Sequence, residues 1–238
     1  MKKIVLFISC CLLIFTSCEI DNYEGPNASI HGSFLDAKTG ELVGTDIQEC
    51  GLTVVEQGFA NPSNQNWRIQ NTGEYRNDMI FAATYNIRFE NGNCYSFEEK
   101  DVVLKKGNNT KNFEVTPYIR VVNPSITKNG NKIIATFSLE GGKSEVELSS
   151  IRLFAFSDMW VANSIKFDLN SGTDMEVFDP AIAINPSTTY TLTIDLDQDR
   201  NSFKYTGKNY YFRIGALASL PNVGTIRHNY SPLVTIPF

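Results

Sequence analysis

Ala28-Ser29-Ile30-His31-Gly32-Ser33-Phe34-Leu35-Asp36-Ala37-Lys38-Thr39-Gly40 decides the fold of this chain. Its first eight residues alternate apolar and polar side chains, the pattern of a half-buried β-strand. The next five are turn chemistry, with a glycine available for positive φ. The stretch predicts a strand followed by a hairpin turn. Outward from it the same grammar repeats. Leu52-Thr53-Val54-Val55-Glu56 is a second strand, and residues 61–66 form a polar loop. Residues 67–75 and Met79-Ile80-Phe81 follow, and then a run in which Tyr85, Ile87 and Phe89 share one face. Asn91-Gly92-Asn93 marks a turn. Val102-Val103-Leu104 and Phe113-Glu114-Val115 are expected to pair across Lys105-Lys106-Gly107-Asn108-Asn109, a hairpin-like turn.

Thr116-Pro117-Tyr118 reads as a domain boundary, because proline stiffens the link and a fresh alternating run begins at Tyr118. Strands are predicted at 133–139, 151–156, around 175–178, and at 190–196, 210–216 and 233–236. Parity places Tyr210, Phe212, Ile214 and Ala216 inward, and Tyr211 and Arg213 outward. No window of eleven residues beyond the N-terminal segment sustains a helical period. The fold class is therefore all-β, with two tandem β-sandwich domains at 27–116 and 117–238.

The N-terminus has a different character. Lys2 and Lys3 precede an apolar segment, residues 4–15, that ends in Thr16-Ser17-Cys18. The segment is too short to span a bilayer, which takes about 20 apolar residues. It resembles a bacterial lipoprotein signal peptide, residues 1–17, with Cys18 as the lipid-attachment site. An ordinary secretory signal is disfavoured by the lack of an A-x-A-type cleavage site. Residues 18–26, with Glu19, Asp21 and Glu24, read as an acidic tether. In lipoproteins such acidic residues resemble an export signal, which implies an outer-membrane location facing the cell exterior.

Charge and cysteine content bound the function further. The formal charge is −5, and removing Lys2 and Lys3 takes it to −7, a poor basis for binding nucleic acid. Cys10 and Cys11 fall in the signal and Cys18 takes lipid, which leaves Cys50 and Cys94. An extracytoplasmic location permits a disulfide between them, two separate buried thiols being the alternative. His31 and His228 are the two histidines, and neither has metal-ligand spacing with a cysteine. His31 reads as a packed or hydrogen-bonded sheet residue and His228 as a solvated residue at a hairpin tip.

The first domain resembles the carboxypeptidase-regulatory-like, or prealbumin-like, β-sandwich. Gly32-x-x-x-Asp36-x-x-Thr39-Gly40, Gly73-x-Tyr75 and the closing strand at 85–89 carry the likeness, with Ala83-Thr84 where a glycine often stands. That family's domain is a scaffold without catalytic residues. The second domain resembles a fibronectin-III or immunoglobulin-like sandwich, on Pro186-Ser187-Thr188-Thr189-Tyr190 and residues 210–216. The whole run also resembles a two-domain lipoprotein family of uncharacterised function that accompanies outer-membrane glycan-import pairs of the starch-utilisation type. Its markers include Val115-Thr116-Pro117-Tyr118-Ile119-Arg120 and His228-Asn229-Tyr230-Ser231. The resemblance implies glycan-import complex proteins as partners.

No motif for catalysis, cofactor or metal stands out. Asp195-x-Asp197-x-Asp199 lacks the glycine and glutamate of a calcium loop, because Arg200 and Thr206 occupy those positions, and it reads as a strand end with a solvated acidic face. Asp158, Asp168, Asp174 and Asp179 are scattered, and no G-x-S-x-G elbow is present. The binding reading rests on aromatics, since sugar rings stack on aromatic faces while nearby polar groups orient their hydroxyls. Trp160 and Asn163, in Ser157-Asp158-Met159-Trp160-Val161-Ala162-Asn163, are the candidates, with Tyr211 and Arg213 as an outward extension for which a cross-strand pair without a ligand is the favoured alternative. Capping the sandwich core is the competing use for Trp160, and Trp67, in phase with Ile69, belongs to the core. The expectation is a non-catalytic surface lipoprotein that binds carbohydrate in glycan capture, or alternatively a protein-docking module with no sugar bound.

Overall fold

The computed structural model describes residues 24–238. Cys18, the signal segment and most of the tether lie outside the described residues. Every regular element among them is a β-strand, and the strands form two sandwiches in tandem.

The first sandwich comprises β1 (Ala28–Asp36), β2 (Gly51–Glu56), β3 (Asn64–Arg68), β4 (Glu74–Ile80), β5 (Thr84–Phe89), β6 (Phe97–Val103), β7 (Gly107–Thr110) and β8 (Phe113–Val115). One sheet has the order β4-β1-β7, with β8 also on β1, and the other has the order β3-β2-β5-β6. Ala28, Ile30 and Phe34 of β1 face the core as alternation requires. The Phe34 ring lies 5.1 Å from Phe89 and 5.6 Å from Phe113, centring an aromatic core. A Cβ on Gly32 would stand 1.6 Å from the Lys111 carbonyl oxygen, so β1 tolerates no side chain there. Trp67 is buried in the same core, and its Nε1 donates to Gln65 Oε1 at 3.1 Å.

Two expected hairpins are absent. The turn at 36–40 forms, with Gly40 at φ 74° and its N–H donating to the Asp36 carbonyl at 2.7 Å. The chain beyond it makes one bridge back, Leu35 to Leu42, and residues 43–50 contain no strand. Those residues are engaged with the second domain instead. Residues 105–109 likewise do not turn a hairpin: β6 and β7 lie in opposite sheets, and β7 runs parallel to β1. The polar loop is also shorter than 61–66, since Asn64, Gln65 and Asn66 already pair with β2 as an edge strand. His31 is exposed on β1, its Nε2 3.1 Å from Thr110 Oγ1.

The second sandwich comprises β9 (Ile119–Asn129), β10 (Lys132–Gly141), β11 (Glu147–Phe156), β12 (Met175–Ala183), β13 (Tyr190–Asp195), β14 (Asn209–Ser219), β15 (Asn229–Tyr230) and β16 (Val234–Pro237). Its sheets have the orders β13-β10-β9 and β12-β11-β14-β15, with β16 also on β14. Tyr210, Phe212, Ile214 and Ala216 are buried on the inner face of β14, as their parity requires. The acidic triplet does not present one solvated face. Asp195 Oδ1 accepts the Asp197 N–H at 3.0 Å, and Asp197 Oδ2 accepts from Asn131 Nδ2 at 2.9 Å. Asp199 is buried and holds residues 170 and 171 through their N–H and hydroxyl groups.

Cys50 and Cys94 are separate, buried thiols in the first core. Burial pushes the Cys50 thiol up to about 12 and the Cys94 thiol well above the usual range. Neither should react with a disulfide reagent at pH 8 in the folded protein, because the thiolate is the nucleophile. Both should titrate once the chain is unfolded in guanidinium, and fast labelling of the native protein would contradict the burial.

The turn after β1 also joins the domains. Arg120 at the start of β9 reaches back, with Nη2 2.7 Å and Nε 2.5 Å from the two Asp36 carboxylate oxygens and Nη1 3.1 Å from Glu140 Oε1. Burial alone would raise the Asp36 carboxyl, but the hydrogen bonds from Arg120 and the Lys38 N–H outweigh it and hold it below its ordinary value. A carboxyl depressed in this way stabilises the fold above its unfolded value near 3.9, and that contribution is lost as pH falls through the folded value. Arg120→Ala strands a buried carboxylate and should cost about 3–5 kcal/mol at pH 7 by urea unfolding. The gap from wild type should narrow below about pH 4, as Asp36 takes up its proton. Equal stability of the two proteins at pH 7 would contradict this role.

Candidate functional site

The junction between the sandwiches is a buried polar network. On the first-domain side it draws on residues 43–50, 69–72 and 91–94. On the other side it draws on the loop 157–166, β14 and the segment 225–231. Asp46 is fully buried, and its carboxylate accepts the Gln48 N–H at 2.9 Å, the Ser164 N–H at 2.8 Å and the Ser164 hydroxyl. Glu49 Oε1 accepts from Asn163 Nδ2 at 3.1 Å and from Arg227 Nη1 at 3.0 Å. Asn229 bridges the chains of both domains, its Oδ1 accepting the Ile119 N–H at 3.0 Å and its Nδ2 donating to the Asn93 carbonyl at 2.8 Å.

Arg213 sits at the centre of this network at 2% exposure. Its Nε donates to the Ser231 carbonyl and its Nη1 to the Thr45 carbonyl, both at 3.1 Å. The guanidinium lies 4.3 Å from the centroid of the Tyr230 ring. No carboxylate among the described residues pairs with it directly, and burial brings it down to about 10, against the pull of Tyr230 and Asp46. It stays protonated at neutral pH and is held by carbonyls and a ring face. Tyr230 in turn accepts the Asn163 N–H at 3.0 Å through its hydroxyl oxygen.

Beside the network lies a cleft of about 820 Å³ with walls from both domains. Leu42, Val121, Met159 and Leu233 supply apolar surface, and Thr39, Thr72 and Asn123 supply polar groups. Asn71 also lines it; this side chain donates to the Met159 carbonyl, while its buried Oδ1 has no partner among the described residues. Such a volume falls within the range of small-molecule sites. Asp36, Glu41 and Glu140 border the cleft too; Asp36 and Glu140 are engaged with Arg120, Lys38 Nζ lies 2.8 Å from Glu140, and Glu41 is exposed. Among the described residues, no three His, Cys, Asp or Glu side chains group as a metal site.

The sequence candidates separate here. Trp160 is half-buried in the turn after β11 and packs into neither hydrophobic core, so it does not cap the sandwich. Its neighbour Met159 lines the cleft. Tyr211 is half-buried on the outer face of β14, opposite Phe156 and Thr235. Arg213 does leave the inner face as parity requires, yet it is covered by the first domain and offers no exposed platform. Asn163 is also committed, through both its N–H and its amide, to the junction. His228 is not a solvated tip. It is half-buried edge-on to Phe154 at 5.4 Å, and burial lowers it to about 4, with Lys166, Arg152 and Arg227 acting in the same direction. The residues missed in the sequence are Asp46, Glu49, Ser164 and Arg227. They lie in loops where no periodicity exposes them; the one available signal was a polar stretch, Thr45-Asp46-Ile47-Gln48-Glu49, in a domain otherwise rich in aromatics.

Two family models match the chain: the N-terminal domain of the DUF3823 proteins of unknown function over residues 28–116, and the DUF3823 C-terminal domain of unknown function over residues 119–235. No curated protein matches it. Among solved structures, one described as "a putative carbohydrate binding protein" from Bacteroides uniformis ATCC 8492 is 60% identical, covering 90% of this chain and 100% of its own with a TM-score of 0.86. DUF3823 proteins from Bacteroides ovatus ATCC 8483 and Parabacteroides merdae ATCC 43184 share the fold. Each is 18% identical with a TM-score of 0.69; the first covers 88% of this chain and 98% of its own, and the second 90% and 100%. With both models matched in order and a 60% identical relative spanning the same length, the chain belongs to the DUF3823 family.

Proposed function

We propose that this protein is a non-catalytic, carbohydrate-binding lipoprotein of the outer membrane, held by lipid on Cys18 and facing the cell exterior. It acts there as an accessory of glycan capture beside import-complex proteins. The observation that carries the binding reading is the cleft at the domain junction, which sets apolar surface beside fixed polar groups, with Trp160 next to one of its wall residues. A sugar offers the same two faces, apolar C–H patches and a ring of hydroxyls. The description of the 60% identical relative as "a putative carbohydrate binding protein" supports the same reading. Hydrolysis fits the cleft poorly. A glycosidase needs a carboxylic acid with a raised pKa, whereas of the three carboxyls on the cleft Asp36 is held low, Glu140 is ion-paired and Glu41 is exposed to solvent.

The second reading, a protein-docking module with no sugar bound, draws on β12. This edge strand exposes Met175, Val177 and Ile182, apolar side chains that no neighbouring strand covers on that side. Affinity electrophoresis of residues 19–238 through gels containing single polysaccharides separates the two readings. One or more glycans should retard the protein, and Trp160→Ala should weaken that retardation about tenfold, the order of one stacked ring. The same variant should change unfolding free energy by less than about 1 kcal/mol, because the ring lies in neither core. Free migration in every polysaccharide would leave docking as the function.

A further inference from the structure

The end of the first sandwich that points away from the second domain carries an unusual surface. Three turns meet there: residues 57–63 between β2 and β3, 81–83 between β4 and β5, and 104–106 between β6 and β7. Backbone hydrogen bonds tie them to one another and to the entering chain. The Gln57 N–H donates to the Thr84 carbonyl at 2.8 Å, Leu104 N–H to Ala83 at 2.9 Å, Asn27 N–H to Ile80 at 3.1 Å and Gly107 N–H to Asn27 at 2.9 Å. On this one end Phe59 is 62% exposed, Met79 74%, Phe81 41% and Val103 64%. Lys105 and Lys106 stand among them; the three turns themselves contain no carboxylate, while Asp78 adjoins Met79 on β4 and Glu24 Oε2 lies 3.7 Å from Lys106 Nζ. Four large apolar side chains beside two lysines, at a fold's end where neither core needs them, have the composition of a surface that meets a lipid interface.

The position of the chain's start says which interface. Nine residues, 19–27, separate Cys18 from Ala28, where β1 begins at this same end. Fully extended they reach roughly 34 Å, and as a flexible coil roughly 18 Å. Any lipid on Cys18 therefore keeps this end within reach of the bilayer, nearer to it along the chain than the second domain. We infer that the Phe59–Met79–Phe81–Val103 end rests on the anionic lipid surface that holds the anchored chain, with Lys105 and Lys106 against its headgroups, so that the second sandwich and the junction cleft stand outward. The inference rests on the reading of Cys18 as the anchor. It adds an orientation, with an interfacial contact besides the acyl chains.

Chain 18–238 can be coupled through Cys18 to a maleimide lipid, since Cys50 and Cys94 are buried. The vesicles are phosphatidylcholine with phosphatidylglycerol, with and without brominated acyl chains. Relative to the parent, Phe59→Trp should add emission that brominated lipid quenches at least twofold, while Tyr205→Trp, exposed on the second domain, should add emission that it leaves unchanged. Lys105→Glu with Lys106→Glu should lessen the quenching of the Phe59→Trp protein. Equal response of the two tryptophan variants overturns the orientation. So does a concentration-dependent shift of the Phe59→Trp emission without vesicles, which would mean that a second copy covers the patch. Radiolabelled palmitate fed to cells tests the anchor separately. Label lost in Cys18→Ser supports it, and an unlabelled wild-type protein overturns anchor and orientation together, whereas a labelled protein with unquenched Phe59→Trp overturns the orientation alone.

Discussion

A guanidinium sealed between two sandwiches is the constraint on which the molecule turns. Arg213 projects from the outer face of β14, a position that in an isolated domain would be wet. Here the first domain covers it, and two carbonyls and the Tyr230 ring replace its water. Leaving such a charge buried without those partners would be strongly unfavourable. The surrounding groups follow the same rule: Asp46 and Glu49 accept hydrogen bonds across the joint, and Asn229 donates one across it to the Asn93 carbonyl. A polar junction of this kind is satisfied in one relative placement of the domains, because its bonds depend on distance and direction where apolar contact does not. Fixed placement is what gives the cleft a constant shape, since its walls come from both sides.

The strand content was legible in the sequence because alternation reports burial directly. The stretch 210–216 shows both the reach and the limit of that rule. Parity sorted its side chains onto the correct faces, and the inner ones form the core. It could not say that a neighbouring domain would cover the outer face, so Arg213 looked available for a ligand. The missed pairings have a similar origin. Turn chemistry at 36–40 describes a reversal of direction but not the strand met afterwards, and β1 found β4, β7 and β8, all far along the chain. Trp160 and His228 sit in loops, where sequence has no period to read; one turned out to lie outside both cores and the other to be half-buried against Phe154.

The motif glycine and aspartate of the first domain have structural work here. Gly32 lets β1 pass the Lys111 carbonyl, and Asp36 both caps its turn, accepting the Lys38 N–H at 2.9 Å, and anchors Arg120. These groups join the two scaffolds; the cleft is the surface that the joint creates, and the edge at β12 and the apolar end near the start of the chain lie apart from it.

The two sandwiches, locked by this junction, should move as one rigid body. That rigidity is read from the distance between spin labels at Lys100→Cys and Lys204→Cys, exposed positions on the first and second domains, in residues 19–238, whose own cysteines, Cys50 and Cys94, are buried. Pulsed dipolar spectroscopy should give one narrow distance distribution, unchanged between frozen samples at low and high salt. A broad or two-peaked distribution would mean that the junction opens, and the account of the cleft would fail with it.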